Sequence, residues 1–258
     1  MRTVASLTLC LGLLSGCEQP PAQKQTASES PRPVTEHLPD FTQFQNTDDK
    51  KQAFFDFLMP LIEQVNDDVL SIRTELEAMT PPLTEAQQTR LQQLVRRYRI
   101  QEETQTEQIQ RLLTRVLPIP PSLVLAQAAN ESAWGTSRFA TEGNNLFGQW
   151  CFKRGCGLVP LDRPEGDRHE VAVFDTPLDS VRSYVRNLNT HPEYQQLRQI
   201  RRQQWQTQGY ADGKALASGL LGYSERREEY VEEIRSMIRY NQLSQYDQPD
   251  ASASLPQG

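Results

Sequence analysis

Residues 120–135, PPSLVLAQAANESAWG, determine the fold because they contain a helix start, a buried helical segment and a helix end. Proline is favoured in the first turn of a helix, where its missing N–H has no intrahelical partner to lose. The alanines in the middle of the stretch allow close helix packing, and Gly135 is a typical helix terminator. The stretch therefore predicts a central, buried helix that carries one carboxylate, Glu131, near its C-terminal end.

Helical periodicity continues on both sides of this stretch. Upstream, apolar residues recur at spacings of three and four between residues 54 and 72, although Pro60 predicts a kink or a break in that helix. Thr84 and Gln87 have the spacing of a capping box that opens the next helix. Downstream, four further helices are predicted, at residues 177–189, 192–205, 212–221 and 224–240.

Residues 149–175 differ from the rest of the chain. They contain glycine turns, β-branched residues and the alternating run EVAVF at 170–174, which is typical of a short strand. The predicted fold class is therefore mainly α: a helical domain (residues 115–242) with a small β-hairpin lobe, preceded by helical scaffold segments (residues 48–114). The scaffold segments contain no recognisable chemistry.

Composition limits the class of protein. The 258 residues include 27 basic and 33 acidic side chains, for a formal net charge of −6, so a strongly basic nucleic-acid surface is excluded and no nucleic-acid partner is expected. Beyond the N-terminal segment, no stretch approaches the roughly 20 apolar residues that a membrane-spanning helix needs. Residues 17–47 and 243–258 are polar and predict a flexible tether and a polar tail.

The N-terminal segment, residues 1–16, has the pattern of a secretory signal, with one arginine followed by an apolar run. The run ends in Leu-Ser-Gly-Cys at residues 14–17, which resembles the bacterial lipoprotein signal. This resemblance implies cleavage before Cys17 and lipid attached to Cys17. Residue 18 is glutamate rather than the aspartate that marks inner-membrane retention. We therefore expect a lipid-anchored protein of the outer membrane that faces the periplasm.

Cysteine counting leaves one pair. Cys10 is removed with the signal and Cys17 is lipidated, so Cys151 and Cys156 remain. An oxidising compartment permits a single disulfide between them. A zinc site would need two further ligands, and only His169 lies nearby in the sequence, so no metal is predicted.

Glu131 is the candidate for chemistry. A carboxylate at the end of an apolar helix, beside Trp134, loses hydration and faces the negative end of the helix dipole, and both effects raise its pKa. A carboxylic acid that stays protonated near neutral pH can donate its proton to a glycosidic oxygen. The alternative is that Glu131 caps the helix or pairs with an arginine.

The surrounding sequence, AQAANESAWGTSRFATEGNNLFGQW at residues 126–150, resembles the glucosaminidase family of peptidoglycan hydrolases, whose members have a lysozyme-like fold. The later runs CFKRGCGLVPLDRPEGDRHEVAVF, SVRSYVRNLNTHPEYQQLR and GLLGYSERREEYVEEI resemble more narrowly the Bax-type proteins of this superfamily. The resemblance covers residues 115–242. It does not extend to residues 48–114 or to the tether.

The resemblance implies endo-β-N-acetylglucosaminidase activity on the GlcNAc-β-1,4-MurNAc bond of peptidoglycan strands, with Glu131 as general acid and no cofactor. Tyr223 matches a cleft tyrosine that orients the sugar N-acetyl group or the attacking water. Asn145 and Phe147 would line the sugar groove, and Trp134 and Trp150 would stack on sugars. For the four aromatic residues, the alternative is ordinary core packing.

A second catalytic carboxylate is expected in the β lobe, at Glu170 or Glu165. Glu170 is favoured because it lies in the predicted strand, which gives its side chain a fixed direction. Retaining glycosidases place the two carboxyl groups about 5–5.5 Å apart and inverting ones about 6.5–9.5 Å apart. A mechanism assisted by the substrate N-acetyl group would need neither residue as nucleophile.

Two other functions are compatible with the sequence. A lytic transglycosylase would use the same acid, but those enzymes commonly carry Gly-Leu-Met-Gln where this chain has Asn-Leu-Phe-Gly at 145–148. A non-catalytic peptidoglycan-binding lipoprotein would retain the cleft without the chemistry. The sequence contains neither a phosphate-binding glycine loop nor a nucleophile elbow.

Overall fold

The structure is a computed structural model, and it describes residues 37–161, 163 and 166–248. The predicted signal segment, the lipidation residue Cys17 and the candidate carboxylate Glu165 lie outside the described residues.

The described chain is mainly helical. The helices are α1 (Thr47–Glu77), α2 (Glu85–Arg97), α3 (Gln105–Arg115), α4 (Pro121–Glu131), α5 (Arg138–Gly143), α6 (Pro177–Thr190), α7 (Gln195–Gln208), α8 (Gly213–Leu216) and α9 (Glu228–Tyr240). The strands are β1 (Trp150–Cys151), β2 (Gly157–Leu158) and β3 (Glu170–Ala172). Single 3₁₀ turns precede α1, α7 and the described C-terminal end. The predicted mainly α fold class is confirmed.

Helix α1 is continuous through Pro60 over its 31 residues, so the predicted break does not occur. Proline removes one backbone hydrogen bond and crowds the preceding turn. Phe54 and Leu58 before it and Ile62 and Val65 after it are all buried. Burial of this apolar stripe on both sides offsets the local cost, so α1 packs along its length on α4 and α6. The capping box predicted between Thr84 and Gln87 is confirmed at the start of α2.

Helix α4 lies at the centre, with every residue from Ser122 to Ala129 buried. It packs against α1, α8, α9 and the C-terminal 3₁₀ turn. The helix ends at Glu131 rather than at Gly135, because the next residues leave helical geometry: Ala133 and Trp134 both have positive φ angles. Glu131 is therefore the last helical residue.

The β lobe is a three-stranded antiparallel sheet in the order β1–β3–β2, not the simple hairpin that the sequence predicts. β3 is central, with Val171 opposite Trp150 on one side and opposite Leu158 on the other. Only glycine fits at position 157, because a Cβ there would lie 1.9 Å from the Val171 carbonyl oxygen. The sequence pattern indicates β3, but β1 and β2 are too short to show an alternating pattern. A three-stranded sheet is therefore not predicted from the sequence.

The predicted polar tail from residue 243 is wrong for residues 243–248. Leu243 is fully buried, and the carboxylate of Asp247 accepts hydrogen bonds from the Ser122 and Gly213 backbone amides, each at 2.9 Å. These contacts fasten the start of α4 and the start of α8 to the end of the described chain. One apolar core runs from Phe41 to Leu243 and crosses the predicted domain boundary at 114/115. No helix within the described ranges has the length and apolarity to cross a membrane.

Candidate active site

Glu131 is partly buried at the C-terminal end of α4. Burial raises the pKa of this carboxyl above its usual range, and the negative charge of Glu233 adds to the effect. Hydrogen bonds from Tyr230 and Asn130 and the charge of Arg226 oppose it. The net effect is a raised pKa, which widens the pH range over which Glu131 keeps the proton that a donor needs.

A chain of buried hydrogen bonds fixes one oxygen of this acid. The Tyr230 hydroxyl donates to Glu131 Oε1 at 2.7 Å, across 99 residues of sequence. Gln127 Nε2 donates to the Tyr230 oxygen at 2.8 Å, and the Tyr184 hydroxyl donates to Gln127 Oε1. Burial raises the pKa of Tyr184 and of Tyr230, so both phenols stay protonated.

The direction of these bonds determines where the acid proton lies. Because Tyr184 donates to the amide oxygen of Gln127, the amide nitrogen faces Tyr230 and the Tyr230 oxygen accepts. The phenolic proton of Tyr230 therefore points at Glu131 Oε1, so the proton of Glu131 belongs on Oε2. None of the described residues hydrogen-bonds Oε2, and a Cβ added at Gly148 would lie 3.7 Å from it. Gly148, with φ +60°, therefore lies beside this oxygen, and a side chain there would contact it.

The predicted residue Tyr223 is brought to this site. Its ring stacks on that of Tyr230, with centroids 5.3 Å apart and planes 7° apart. Its hydroxyl donates to the Phe147 carbonyl at 2.9 Å. Tyr223 thus holds the loop that carries Gly148 against the acid, and burial raises the pKa of its phenol.

The structure places two predicted groove residues in the interior. Phe147 is buried and stacks on Tyr184 with centroids 4.0 Å apart. Asn145 is buried, and its amide bonds only to backbone: Nδ2 donates to Gln149 and Ala172, and Oδ1 accepts from Phe147 and Gln149. Both side chains shape the loop and leave no free group for a sugar, because their surfaces are already occupied.

The two tryptophans differ. Trp134 packs edge-on against Phe54 and Phe55 of α1, with centroids 5.7 and 5.5 Å away, so it joins α1 to the end of α4 instead of offering a free face. Trp150 is 59% exposed and stacks on His169 at 4.3 Å. Trp150 remains the candidate sugar platform.

Glu170, predicted as a second catalytic carboxylate, is hydrogen-bonded within the β lobe. Its Oε1 accepts from the Gly155 amide at 3.0 Å and its Oε2 from the Gly157 amide at 2.9 Å. These bonds lower the pKa of Glu170. These two bonds fasten the Glu170 carboxylate to the turn between β1 and β2.

Cys151 and Cys156 are joined by a disulfide across the same turn. Their sulfurs and the Glu170 carboxylate lie within 4.8 Å of one another, but sulfurs joined to each other offer no thiolate to a metal. His169, the third ligand considered from the sequence, stacks on Trp150 instead.

Sequence reasoning missed Gln127, Tyr184, Tyr230 and the role of Gly148. One signal was available for Gln127: it is a polar residue in the middle of an apolar helix and lies four positions before Glu131, on the same helical face. No local pattern indicates the tyrosines, because they reach the acid from α6 and α9.

The geometry describes a partly buried carboxylic acid at the end of a central helix, hydrogen-bonded by Tyr230 and open on its other oxygen. Comparison with known proteins gives the class. A sequence model of the Glucosaminidase family, described as mannosyl-glycoprotein endo-beta-N-acetylglucosaminidase, matches residues 107–243. The chain belongs to this family and is a glycosidase by class.

Two individual proteins are similar to this chain. Protein bax of Escherichia coli (strain K12) is 34% identical over 209 residues, which make up 80% of this chain and 74% of that protein. Among solved structures, the catalytic domain of the autolysin Auto from Listeria monocytogenes aligns with a TM-score of 0.43 at 18% identity, over 80% of this chain and 92% of that one. The predicted resemblance to Bax-type glucosaminidases is confirmed.

Proposed function

We propose that this protein is a peptidoglycan hydrolase that cuts the GlcNAc-β-1,4-MurNAc bond, with Glu131 as general acid. One observation carries the proposal: the raised pKa of Glu131 is combined with a hydrogen-bond chain that directs its proton to the uncovered Oε2. A glycosidase needs such a proton at the departing oxygen, because an alkoxide is a poor leaving group.

In the proposed reaction, Glu131 Oε2 transfers its proton to the glycosidic oxygen as the bond to the sugar carbon breaks. The new negative charge stays on the carboxylate, where the Tyr230 hydroxyl at Oε1 stabilises it. Because Glu170 is engaged by backbone amides, we propose that the substrate N-acetyl oxygen attacks the sugar carbon. Water then opens the resulting ring, and Glu131, now the base, recovers a proton from that water.

Muropeptide analysis tests the proposed bond and reaction. Purified peptidoglycan is digested with the full chain, and the products are identified by mass spectrometry before and after borohydride reduction. We expect saccharides with a reducing GlcNAc end. Anhydro-MurNAc ends would replace the proposal with a lytic transglycosylase, and binding without products would replace it with a non-catalytic peptidoglycan-binding protein.

We propose, from the sequence, that the chain is held in the outer membrane by lipid on Cys17 and faces the periplasm. Cys17→Ser is expected to abolish acylation, and Cys10→Ser, which changes the segment predicted to be removed, is the matched control. Metabolic labelling with a palmitate analogue and fractionation of the two membranes measure the outcome. Labelled, membrane-bound Cys17→Ser protein would refute the anchor.

A further inference from the structure

A second concave site lies between α3 and α7, and none of its lining residues belongs to the site around Glu131. The cavity has a volume of about 290 Å³, room for roughly ten waters. Four of its lining residues are the arginines Arg111, Arg115, Arg198 and Arg202. The others are a threonine, a proline and two glutamines, so no acidic side chain lines it.

The four arginines form two pairs on facing helices. Arg111 and Arg115 are four residues apart on α3, and Arg198 and Arg202 are four residues apart on α7. Side chains at this spacing lie on the same helical face, where like charges repel and destabilise the helix. Two such pairs directed at one cavity concentrate positive charge in a protein whose net charge is −6.

Little in the protein neutralises this charge. Glu102 pairs with Arg111, but within residues 37–161, 163 and 166–248 no carboxylate pairs with Arg115, Arg198 or Arg202. Burial and then the charges of Arg115 and Arg111 lower the pKa of Arg198 to about 10. The cavity therefore carries an excess of positive charge from its arginine side chains.

Two of the arginines are held in position. Arg198 Nη1 donates to the Leu188 and His191 carbonyls at 2.9 and 2.8 Å. Arg115 Nη1 is anchored in the same way by the carbonyls of residues 98 and 99. Their Nε and Nη2 groups hydrogen-bond none of the described residues, so each guanidinium keeps donors for a ligand.

A fifth arginine lies beneath the cavity. Arg201 is fully buried; its Nη2 donates to the Arg115 carbonyl at 3.0 Å and its Nη1 to the Leu117 carbonyl at 2.8 Å. Its Nε is buried without a hydrogen-bond partner. Arg201 ties the end of α3 to α7 and adds a buried positive charge behind the pocket.

We propose that this arginine pocket binds a phosphoryl group, presented either by free phosphate or by a phosphodiester headgroup. Guanidinium groups bind phosphate oxygens through paired N–H donors. Free phosphate as the dianion has three unprotonated oxygens and about two negative charges, and a phosphodiester has two such oxygens and one charge, so both can accept from several converging guanidinium groups. The site is separate from the proposed glycosidase chemistry and gives α3, which begins in the scaffold region, a binding role.

Titration calorimetry at constant ionic strength tests the pocket, with inorganic phosphate as the probe and the purified full chain. Arg202→Gln is the chosen variant because Arg202 is exposed and bonds none of the described residues, so its loss leaves the fold intact. We expect it to weaken phosphate binding about tenfold, the effect of losing one charged hydrogen bond. Arg154→Gln, an exposed arginine in the β lobe, is the matched control and should bind as the wild type does.

Equal weakening in both variants, or no saturable binding to the wild type, would overturn the proposal. Soluble competitors distinguish the sources: tighter binding of glycerophosphoglycerol than of phosphate supports a lipid headgroup, and the reverse order supports free phosphate. Tighter binding of succinate than of either would overturn the phosphoryl assignment in favour of a dicarboxylate.

Discussion

Glu131 at the end of α4 and Glu170 in the β lobe are both removed from solvent, yet their pKa values shift in opposite directions. Burial is the largest influence at Glu131 and raises its pKa. At Glu170 the backbone amides of Gly155 and Gly157 are the largest influence and lower its pKa. The direction of each pKa shift therefore depends on the supply of backbone N–H donors as well as on burial. This contrast fits the proposed role of Glu131 as the acid.

At Asp247, burial affects the pKa more than the hydrogen-bond donors do. Its carboxylate accepts from the Ser122 amide and hydroxyl and from the Gly213 amide. Burial nevertheless raises its pKa to about 6. All three donors lower this pKa, but burial outweighs them and the nearby charge of Asp212 acts in the same direction as burial. The three carboxyls thus form a series in which burial and donors compete, and each can be tested.

The largest effect is expected for Glu131→Gln. The amide retains the shape of the side chain but has no proton to give, so turnover of purified peptidoglycan should fall about 10²–10⁴-fold. Sedimentation with peptidoglycan should persist. Glu103→Gln, an exposed change in the scaffold region, is the control and should digest normally. Wild-type turnover by Glu131→Gln would make Glu131 structural and remove the contrast with Glu170.

The second prediction concerns Asp247. Its folded pKa of about 6 lies above the ordinary value of 3.8, so between these values the folded state binds more protons than the unfolded state. Stability is then fully present below pH 3.8 and is lost as the pH rises through 6, by on the order of 3 kcal/mol. Urea unfolding from pH 4 to pH 7 measures this slope.

Asp247→Asn cannot ionise, so its unfolding free energy should lack that decline. Asp175→Asn, an exposed change, should keep the wild-type slope. A wild-type slope in Asp247→Asn would show that another group titrates.

The third prediction concerns Tyr230→Phe. Removing the hydroxyl takes away the donor that lowers the pKa of Glu131, so that pKa should rise. Activity that depends on protonated Glu131 should then persist to higher pH, while kcat falls about tenfold because the product carboxylate loses a charged hydrogen bond. The pH–rate profile measures both effects.

Tyr223→Phe is the matched control, since its hydroxyl bonds Phe147 rather than Glu131. The fall in activity on the alkaline side of its pH–rate profile should occur at the same pH as in the wild type. An equal shift of this fall in both variants would indicate general loosening of the site.

The smallest effect on turnover is expected for Glu170→Gln, which should stay within about twofold of the wild type because the mechanism proposed for Glu131 does not use it. The thermal midpoint should fall at pH 7. A carboxyl with a lowered folded pKa stabilises the fold above its ordinary value of 4.5 and loses that contribution as pH falls through the folded pKa. The difference in midpoint should therefore shrink in acid. A turnover loss as large as that of Glu131→Gln would restore Glu170 as a catalytic group.

The sequence predicts the helices well where their signals are local. The buried stripe of α1 and the capping box at Thr84 are patterns within a few turns of chain, and both are present. Helix ends are less predictable: α4 stops at Glu131, four residues before the predicted Gly135, because Ser132 bonds to Ala128 and Gly135 and begins a turn. The number of strands is not predicted from the sequence, because β1 and β2 have only two residues each.

Residue type alone does not predict which polar or aromatic side chains face a cleft. Asn145 and Trp134 match a family pattern, but one is satisfied by backbone groups and the other packs on α1. A sequence pattern gives the type of residue at a position but not what packs against it. Contacts from other helices and strands therefore decide whether such a side chain faces the cleft or is buried.

The sequence by itself determined a mainly helical glucosaminidase-family chain, with a carboxyl at the end of an apolar central helix. Those properties follow from periodicity, composition and short motifs, which act over a few residues. Only the tertiary structure decided which oxygen of Glu131 is free of hydrogen bonds, that Glu170 is bonded by two backbone amides, and that two arginine pairs meet across one cavity. Each depends on partners from distant segments, such as Tyr230, which lies 99 residues beyond the acid. Hydrogen bonding and desolvation act between neighbours in space, and the folded chain alone brings those neighbours together.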